Sequence, residues 1–377
     1  MKILSKFWLF LFLFACNNPI SKNDNNFENW NIFRGNPSLS AYTNVSLPDK
    51  PALLWSFKSD SYTKSSPVVY NGVAYWSNRR GHIFGVNQDG KQIFDIDMKT
   101  AIDATPMIYN SILYIGRVDG FLYAISLEKQ DILWSFETWG QIMASPNWMN
   151  FEDKEAIIVG SYDNNMYCIN SKDGKLINRF ESGYYINGAV AQNDHYIVFG
   201  GCDGWIRVVD CISGIQTDSL DVEIYIPASP AISNNTCYIA DHSGNLYEII
   251  LNKGKIVSSK KIIESKDENS NFVSVPAVSD KMVFVVSDDR YLYAIYRNNG
   301  STAWKYLLKG DTGESSPVIC KNKLLVCTKT GIVSIHDAKT GELLWEYDTG
   351  EQIIASPAVI KGHFYILTQK GTLFCFG

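Results

Sequence analysis

The chain has 377 residues, is 46% hydrophobic and 13% aromatic, and carries a formal charge of −5. That apolar content excludes a disordered chain and can supply a large core. A net negative charge without a basic cluster excludes nucleic acid as a partner and electrostatic attraction to anionic lipid.

Residues 1–16 read as an export signal. Lys2 and Lys6 form a basic start, and residues 7–14 are an apolar run too short to span a bilayer as a helix. Leu13-Phe14-Ala15-Cys16 resembles a bacterial lipoprotein cleavage box, which predicts cleavage before Cys16 and lipidation of that residue. Loss of the two lysines takes the formal charge from −5 to −7. Residues 17–51, rich in Asn, Ser, Lys and Pro, are expected to be a tether and lead-in segment. As a flexible chain they would have an end-to-end distance of roughly 30 Å. No later segment has the apolar length to cross a membrane. By resemblance to lipoprotein sorting signals, Asn17 and the lack of an acidic run after Cys16 predict anchoring in the outer membrane, on its periplasmic side.

A short apolar strand follows, Leu53-Leu54-Trp55-Ser56-Phe57, and then a repeat begins. Its mark is a small-small-Pro tripeptide: Ser65-Ser66-Pro67, Ala104-Thr105-Pro106, Ala144-Ser145-Pro146, Ala228-Ser229-Pro230, Ser274-Val275-Pro276, Ser315-Ser316-Pro317 and Ala355-Ser356-Pro357. An eighth copy, Gly188-Ala189-Val190, lacks the proline. The third positions are 39 to 46 residues apart, a period that marks a repeat architecture and overrides the two or three domains ordinarily expected at this length. In the first copy, apolar runs at 67–70, 73–76, 83–86 and 93–96 are separated by Asn71-Gly72, a turn closed by Gly81, and Asp89-Gly90. That is four short strands joined by hairpins. A Gly recurs 14 residues after the third position at Gly81, Gly120, Gly204, Gly244, Gly331 and Gly371, with Arg290 in that slot of the sixth copy. The third copy is longer, with an insertion at 150–154.

Eight four-stranded units predict an all-β fold, an eight-bladed β-propeller over residues 52–377, with small residues where innermost strands crowd the central channel. The last copy ends at Gly377 after its third strand. The lone strand at 53–57 matches the fourth strands Leu133-Trp134-Ser135-Phe136 and Leu344-Trp345-Glu346-Tyr347, and is expected to complete that final blade and close the ring.

Seven cysteines follow Cys16. Export would permit disulfides, but the spacing shows no CxxC, and an odd count leaves at least one free thiol in a monomer. Cys168 and Cys375 occupy the third-strand slot held elsewhere by Ala124 and Ala294, so most of these thiols read as unpaired and buried. The five histidines form no metal-ligand spacing, no nucleophile has an identifiable base, and Asp89, Asp119, Asp163, Asp173, Asp203 and Asp241 sit in turn slots. No catalytic residue, metal or cofactor is assigned.

One face carries the binding hypothesis. Loops running from a fourth strand into the next blade open on the same side as the turns between second and third strands. They bear Tyr62, Trp139, Tyr184, Tyr185 and Tyr225, with Arg79, Arg80, Arg117 and Arg290 on nearby turns. Aromatic and arginine side chains are the usual anchors of protein interfaces.

Asp337-Ala338-Lys339-Thr340-Gly341-Glu342-Leu343-Leu344-Trp345, the Ser-Ser-Pro-Val strand openings and the lead-in Trp30-Asn31-Ile32-Phe33-Arg34-Gly35 resemble the repeats of the pyrroloquinoline-quinone-like (PQQ-like) β-propellers. The resemblance covers nearly all of the mature chain and implies the fold more than the function. In the quinoprotein dehydrogenase branch it implies a quinone held with Ca²⁺ beside a vicinal Cys-Cys ring, and this chain has no Cys-Cys pair. The chain is more similar to the non-catalytic lipoprotein B family of the outer-membrane β-barrel assembly machinery. That resemblance implies a periplasmic, lipid-anchored, protein-binding scaffold in outer-membrane protein assembly whose partner is an envelope protein such as a β-barrel assembly subunit. A PQQ-dependent oxidoreductase and a glycan-binding propeller of a polysaccharide system are the alternatives.

Overall fold

Asn-Gly and Asp-Gly turns between runs of β-branched and aromatic residues leave the backbone one economical way to pair, as consecutive hairpins. A computed structural model of the chain describes residues 29–151, 154–264, 271–272 and 274–377. The signal segment, Cys16 and the first part of the expected tether lie outside these residues. Eight antiparallel sheets follow one another in sequence, spanning 68–97, 107–137, 147–181, 191–221, 231–263, 277–307, 318–348 and 358–376. Numbered in that order they are blades 1 to 8 of an all-β propeller, with the first strand of each blade innermost.

Ring closure follows the sequence pattern. Blade 8 supplies three strands, and Leu53–Lys58 pairs antiparallel with Thr372–Phe376 as its fourth. Ala52 and Gly377 exchange backbone hydrogen bonds at 2.9 and 3.1 Å, so the last residue is tied to the start of the ring.

The small pair has a second role that size alone does not reveal. Its second residue lines the central channel, and in five of the eight copies its hydroxyl accepts a hydrogen bond from the same backbone position of the preceding blade. Ser66 N donates to Thr105 Oγ1 (2.8 Å), Ala189 N to Ser229 Oγ (2.9 Å), Val275 N to Ser316 Oγ (2.9 Å), Ser316 N to Ser356 Oγ (3.2 Å) and Ser356 N to Ser66 Oγ (2.9 Å). These bonds satisfy donors that face a crowded interior and would otherwise be costly to bury.

Further out, tryptophans clamp adjacent blades. Trp134 pairs in register with Ala124 of its own blade, and its Nε1 donates to Ser171 O of blade 3 at 2.9 Å. A Cβ on Gly174 would lie 2.8 Å from the Trp134 ring, and Gly174 has φ +69°, so only glycine fits beneath the indole. Trp55 and Trp304 repeat the arrangement on Gln88 O (2.7 Å) and Ala338 O (3.3 Å).

The lead-in departs from the expectation of a tether. Residues 30–43 run once around the end of the channel away from the candidate face and bond the innermost strands in turn. Trp30 exchanges hydrogen bonds with Val69 of blade 1, and Asn31 O accepts from Ile108 N of blade 2. Pro37 O accepts from Asn147 Nδ2 of blade 3 and Gln192 N of blade 4. Ser38 O, Ser40 O and Ala41 O accept from Ile232 N, Val278 N and Ile319 N of blades 5, 6 and 7. Tyr42–Thr43 adds a parallel fifth strand to blade 7. Between these contacts Phe33–Gly35 crosses the channel, where Arg34 is buried and Nη2 donates to Val275 O and Pro276 O. Burial lowers the Arg34 guanidinium from its ordinary value to about 9.

Replacing Trp134 by Ala removes both the packing and the carbonyl bond, and should destabilise the protein by about 3 kcal/mol. Trp139→Ala, in the loop that follows, should change stability by less than about 0.5 kcal/mol. Denaturant midpoints of the two variants check this.

Candidate functional site

The lead-in turns the channel into a blind cup. Phe33 lines its floor, the second small residues (Ser66, Thr105, Ser145, Ala189, Ser229, Val275, Ser316, Ser356) form its wall, and Lys64, Asp103, Met143, Tyr162, Asn187, Pro227, Glu314 and Ile354 stand at its mouth. The cup holds about 370 Å³.

Around the mouth, each interblade loop bonds the turn of the next blade. Arg79 N donates to Tyr62 O, Val118 N to Ala101 O, Tyr162 N to Gln141 O, Cys202 N to Tyr185 O, and His242 N to Tyr225 O. Two positions per repeat therefore set the character of this face. Over blades 3 to 5 they form an aromatic arc. Tyr162 stacks on Tyr185 with centroids 5.0 Å apart, Tyr184 leans on Tyr185 at 4.7 Å, and Tyr225 stacks on His242 at 4.3 Å. Tyr184, Tyr185 and Tyr225 remain exposed, and Trp139, beside Tyr162 in chain order around the ring, is 94% exposed. Burial raises the Tyr162 hydroxyl above its ordinary range, with Cys202 and Asp103 adding to the shift.

The Trp139 loop is held by one carboxylate. Asp163 accepts from Trp139 N (2.8 Å), Asn165 N (2.9 Å) and Tyr167 Oη (2.6 Å). Burial works against its charge, but the bonds from Tyr167, Trp139 and Asn165 outweigh it and leave the carboxyl below its ordinary range. The far side of the mouth, over blades 6 and 7, is acidic. Asp288, Asp311, Glu314 and Lys329 line a shallow recess of about 280 Å³. Burial raises Asp288, against the pull of His242 and Lys329.

The arginines singled out in the sequence divide. Arg79 Nε lies 3.0 Å from Asp103 Oδ1 and Arg80 Nη1 lies 2.6 Å from Asp60 Oδ2. Arg117 pairs bidentately with Asp119, donates to Met98 O and lies over the Tyr123 ring at 4.6 Å. It is a structural clamp with little surface to offer. Arg290 is exposed in a left-handed turn (φ 68°) that glycine fills in other blades. Tyr62 is exposed over blade 1, apart from the arc. The reading of single residues missed Tyr162 and the pairing of His242 with Tyr225, although both sit in one repeat slot, two residues before the turn glycine position.

The chemistry implied by the dehydrogenase branch meets a poor donor set. Of the acidic side chains at the mouth, Asp103 is committed to Arg79 and Lys64. Among the described residues no three His, Cys, Asp or Glu side chains converge as metal ligands. The cup wall consists mainly of hydroxyl and methyl groups. These residues do not form the quinone and Ca²⁺ site of that branch.

An outer membrane protein assembly factor BamB from Shewanella oneidensis is 21% identical over 376 residues, 89% of this chain and 91% of that protein. One from Legionella pneumophila is 26% identical over 191 residues, and the match spans 48% of each chain. A tetrathionate hydrolase from Acidithiobacillus ferrooxidans is 30% identical over 263 residues, 65% of this chain and 48% of that one. Among solved structures, BamB from Moraxella catarrhalis superimposes with a TM-score of 0.71 at 17% identity, covering 86% of this chain and 97% of that one. The quinohemoprotein alcohol dehydrogenase from Comamonas testosteroni superimposes at 0.77 and 13% identity, covering 93% and 80%. At such identities the superpositions establish the fold alone.

The Asp163 anchor makes a pH prediction. Its carboxyl is depressed in the folded state, so its contribution is present above the unfolded value of about 4 and is lost as pH falls through the lower folded value. The difference in melting temperature between wild type and Asp163→Asn should be constant from neutral pH to about 5 and shrink below about 4. A thermal-melt series across acid pH reads this.

The profile of one family matches residues 44–184 and 298–376, more than half of the sequence, and the chain belongs to that family, described as outer membrane protein assembly factor BamB.

Proposed function

We propose that this protein is a non-catalytic scaffold of outer-membrane protein assembly that binds an envelope protein through the loop face of its propeller. The observation that carries the reading is the aromatic arc. Trp139, Tyr184, Tyr185 and Tyr225 stand exposed on one side of the channel mouth, buttressed by Tyr162 and His242. Stacked, preorganised aromatics give a large contact area at small entropic cost, which is how interface hot spots are built. Family membership supports the process, and the exposed Tyr62, Arg79, Arg80 and Arg290 extend the face over neighbouring blades. Arg117 acts beneath it, holding a turn in place.

In this reading the export signal delivers the chain to the cell envelope, cleavage before Cys16 leaves an acylated N-terminus, and the anchor holds the propeller on the periplasmic side of the outer membrane. The partner is a subunit of the β-barrel assembly machinery. Among the described residues no helix is long and apolar enough to cross a membrane.

The combined variant Trp139→Ala, Tyr185→Ala, Tyr225→Ala should lower recovery of the envelope partner in pull-downs at least about tenfold, given the 2 kcal/mol or more of a typical hot-spot truncation. Tyr296→Ala, an exposed tyrosine at the opposite end of a blade-6 strand, should leave recovery unchanged. Undiminished capture by a folded triple variant removes this face. Retention of glycans by wild type but not by the triple variant favours a polysaccharide ligand. Quinone-dependent dye reduction after adding pyrroloquinoline quinone and Ca²⁺ overturns the non-catalytic reading.

A further inference from the structure

The junction between blades 3 and 4 lacks the tryptophan clamp. Asn178 stands where Trp134 and Trp304 stand in their blades, pairs in register with Cys168, and donates from Nδ2 to Cys211 O at 3.1 Å. The interblade bond survives without the indole that Trp55, Trp134 and Trp304 supply at their junctions; blades 1, 4 and 5 also lack it, with Phe94, Asp218 and Lys260 in that slot. Below Asn178, the two slots that hold Ala124 and Ser171 under Trp134, and Ala294 and Ala338 under Trp304, both hold cysteine; under Trp55 they hold Cys375 and Gln88. Cys168 replaces Ala124 or Ala294, and Cys211 replaces Ser171 or Ala338.

The two cysteines belong to different blades and to one core cluster, with Met166, Phe199 and Val209 around them. They are 4% and 3% exposed. Both line the same gap of about 10 Å³, at the lower limit for a single water molecule. Asn178 joins the two directly, paired in register with Cys168 and donating to the carbonyl of Cys211, and the neighbouring Cys168 together with burial pushes the Cys211 thiol well above its ordinary range. The other deeply buried thiols lack such a partner arrangement: Cys237 lies in another cluster, Cys320 and Cys327 stand at opposite ends of one hairpin, and Cys375 is flanked in register by Trp55 and Tyr365.

We propose that Cys168 and Cys211 form a disulfide that staples blade 3 to blade 4 where the tryptophan clamp is missing. In the structure both are thiols. The oxidant required is a disulfide of the exchange class, such as a periplasmic thiol oxidase or oxidised glutathione. One cysteine thiolate attacks a sulfur of that disulfide and expels one oxidant thiolate. The second cysteine thiolate then attacks the mixed disulfide and expels the other. The chain loses two protons and two electrons, and the oxidant leaves as two thiols. In the folded protein the pair is buried and closed to an oxidant, so the bond forms while the chain is folding, when both sulfurs are accessible. The bond would close a loop of about 40 residues that contains one interblade connection, and so would restrict the unfolded chain.

The test is peptide mapping of the full chain, isolated from the cell envelope and separately refolded from denaturant with oxidised and reduced glutathione, with alkylation of free thiols before digestion. A linked peptide pair carrying Cys168 and Cys211 is expected in both samples. Two fewer free thiols should titrate in denaturant than in the fully reduced chain. Oxidised protein should melt about 5 °C above reduced protein, and Cys168→Ser/Cys211→Ser should abolish that difference. Because the thiols are open to oxidant during refolding, alkylation of both in the refolded, oxidised sample overturns the proposal, as does pairing of either with another cysteine.

Discussion

The backbone N–H of Ser356 donates to the hydroxyl of Ser66, 290 residues earlier in the chain. A ring of sheets depends on this kind of contact. Each blade alone is a four-stranded sheet with two apolar faces, and it becomes stable only when both faces are covered by neighbours. The first and last blades are therefore a liability unless they meet. Here they meet twice, through the Ser356–Ser66 bond of the channel belt and through Leu53–Lys58 completing blade 8, while the lead-in separately bonds blades 1 to 7 before the first blade begins. Gly35 shows how tight the lead-in is. A Cβ there would fall 2.6 Å from the Trp30 ring, and its φ is +80°.

Closure at one end and openness at the other give the molecule a polarity. The lead-in floors the channel with Phe33, so the opposite mouth is left for solvent and partners. There the repeat specifies where two side chains will stand in each blade without specifying what they are. Tyr162, Tyr185, Tyr225 and His242 take four of the six such positions over blades 3 to 5, beside Gln141 and Cys202, and carboxylates gather over blades 6 and 7. A rigid ring with an uneven rim suits recognition, since its anchors are ordered before a partner arrives.

Much of this was legible in the sequence because the repeat is a local signal. The turn glycines and prolines fall at fixed offsets, and the count of eight, the strand order and the closing strand all follow from them. The lone Leu53-to-Phe57 run could be placed because its Trp and Phe match other fourth strands. The path of residues 30–43 was hidden, since it rests on backbone hydrogen bonds from Pro37, Ser38, Ser40 and Ala41 that no side-chain pattern announces. Small size explained Ser66 and Ser356 only in part, because their hydroxyls act across blades. Arg117 read as a surface cation and proved to be committed to Asp119 and Met98, a distinction that depends on distances and not on residue type. Cys168 read correctly as a core residue, but its neighbour across the junction, Cys211, belongs to a different repeat position and became visible only when the blades were packed.

The claim that this ring works by presenting its loop face is tested most directly by photo-crosslinking in the intact envelope. A photoreactive phenylalanine analogue would be placed at Tyr185 or Tyr225 on that face, and at Tyr296 or Ile215 at the opposite end. The account predicts adducts to one envelope protein from the first two positions and none from the others. Adducts confined to Tyr296 and Ile215, or a loop face that captures nothing in cells where the protein is active, would contradict it.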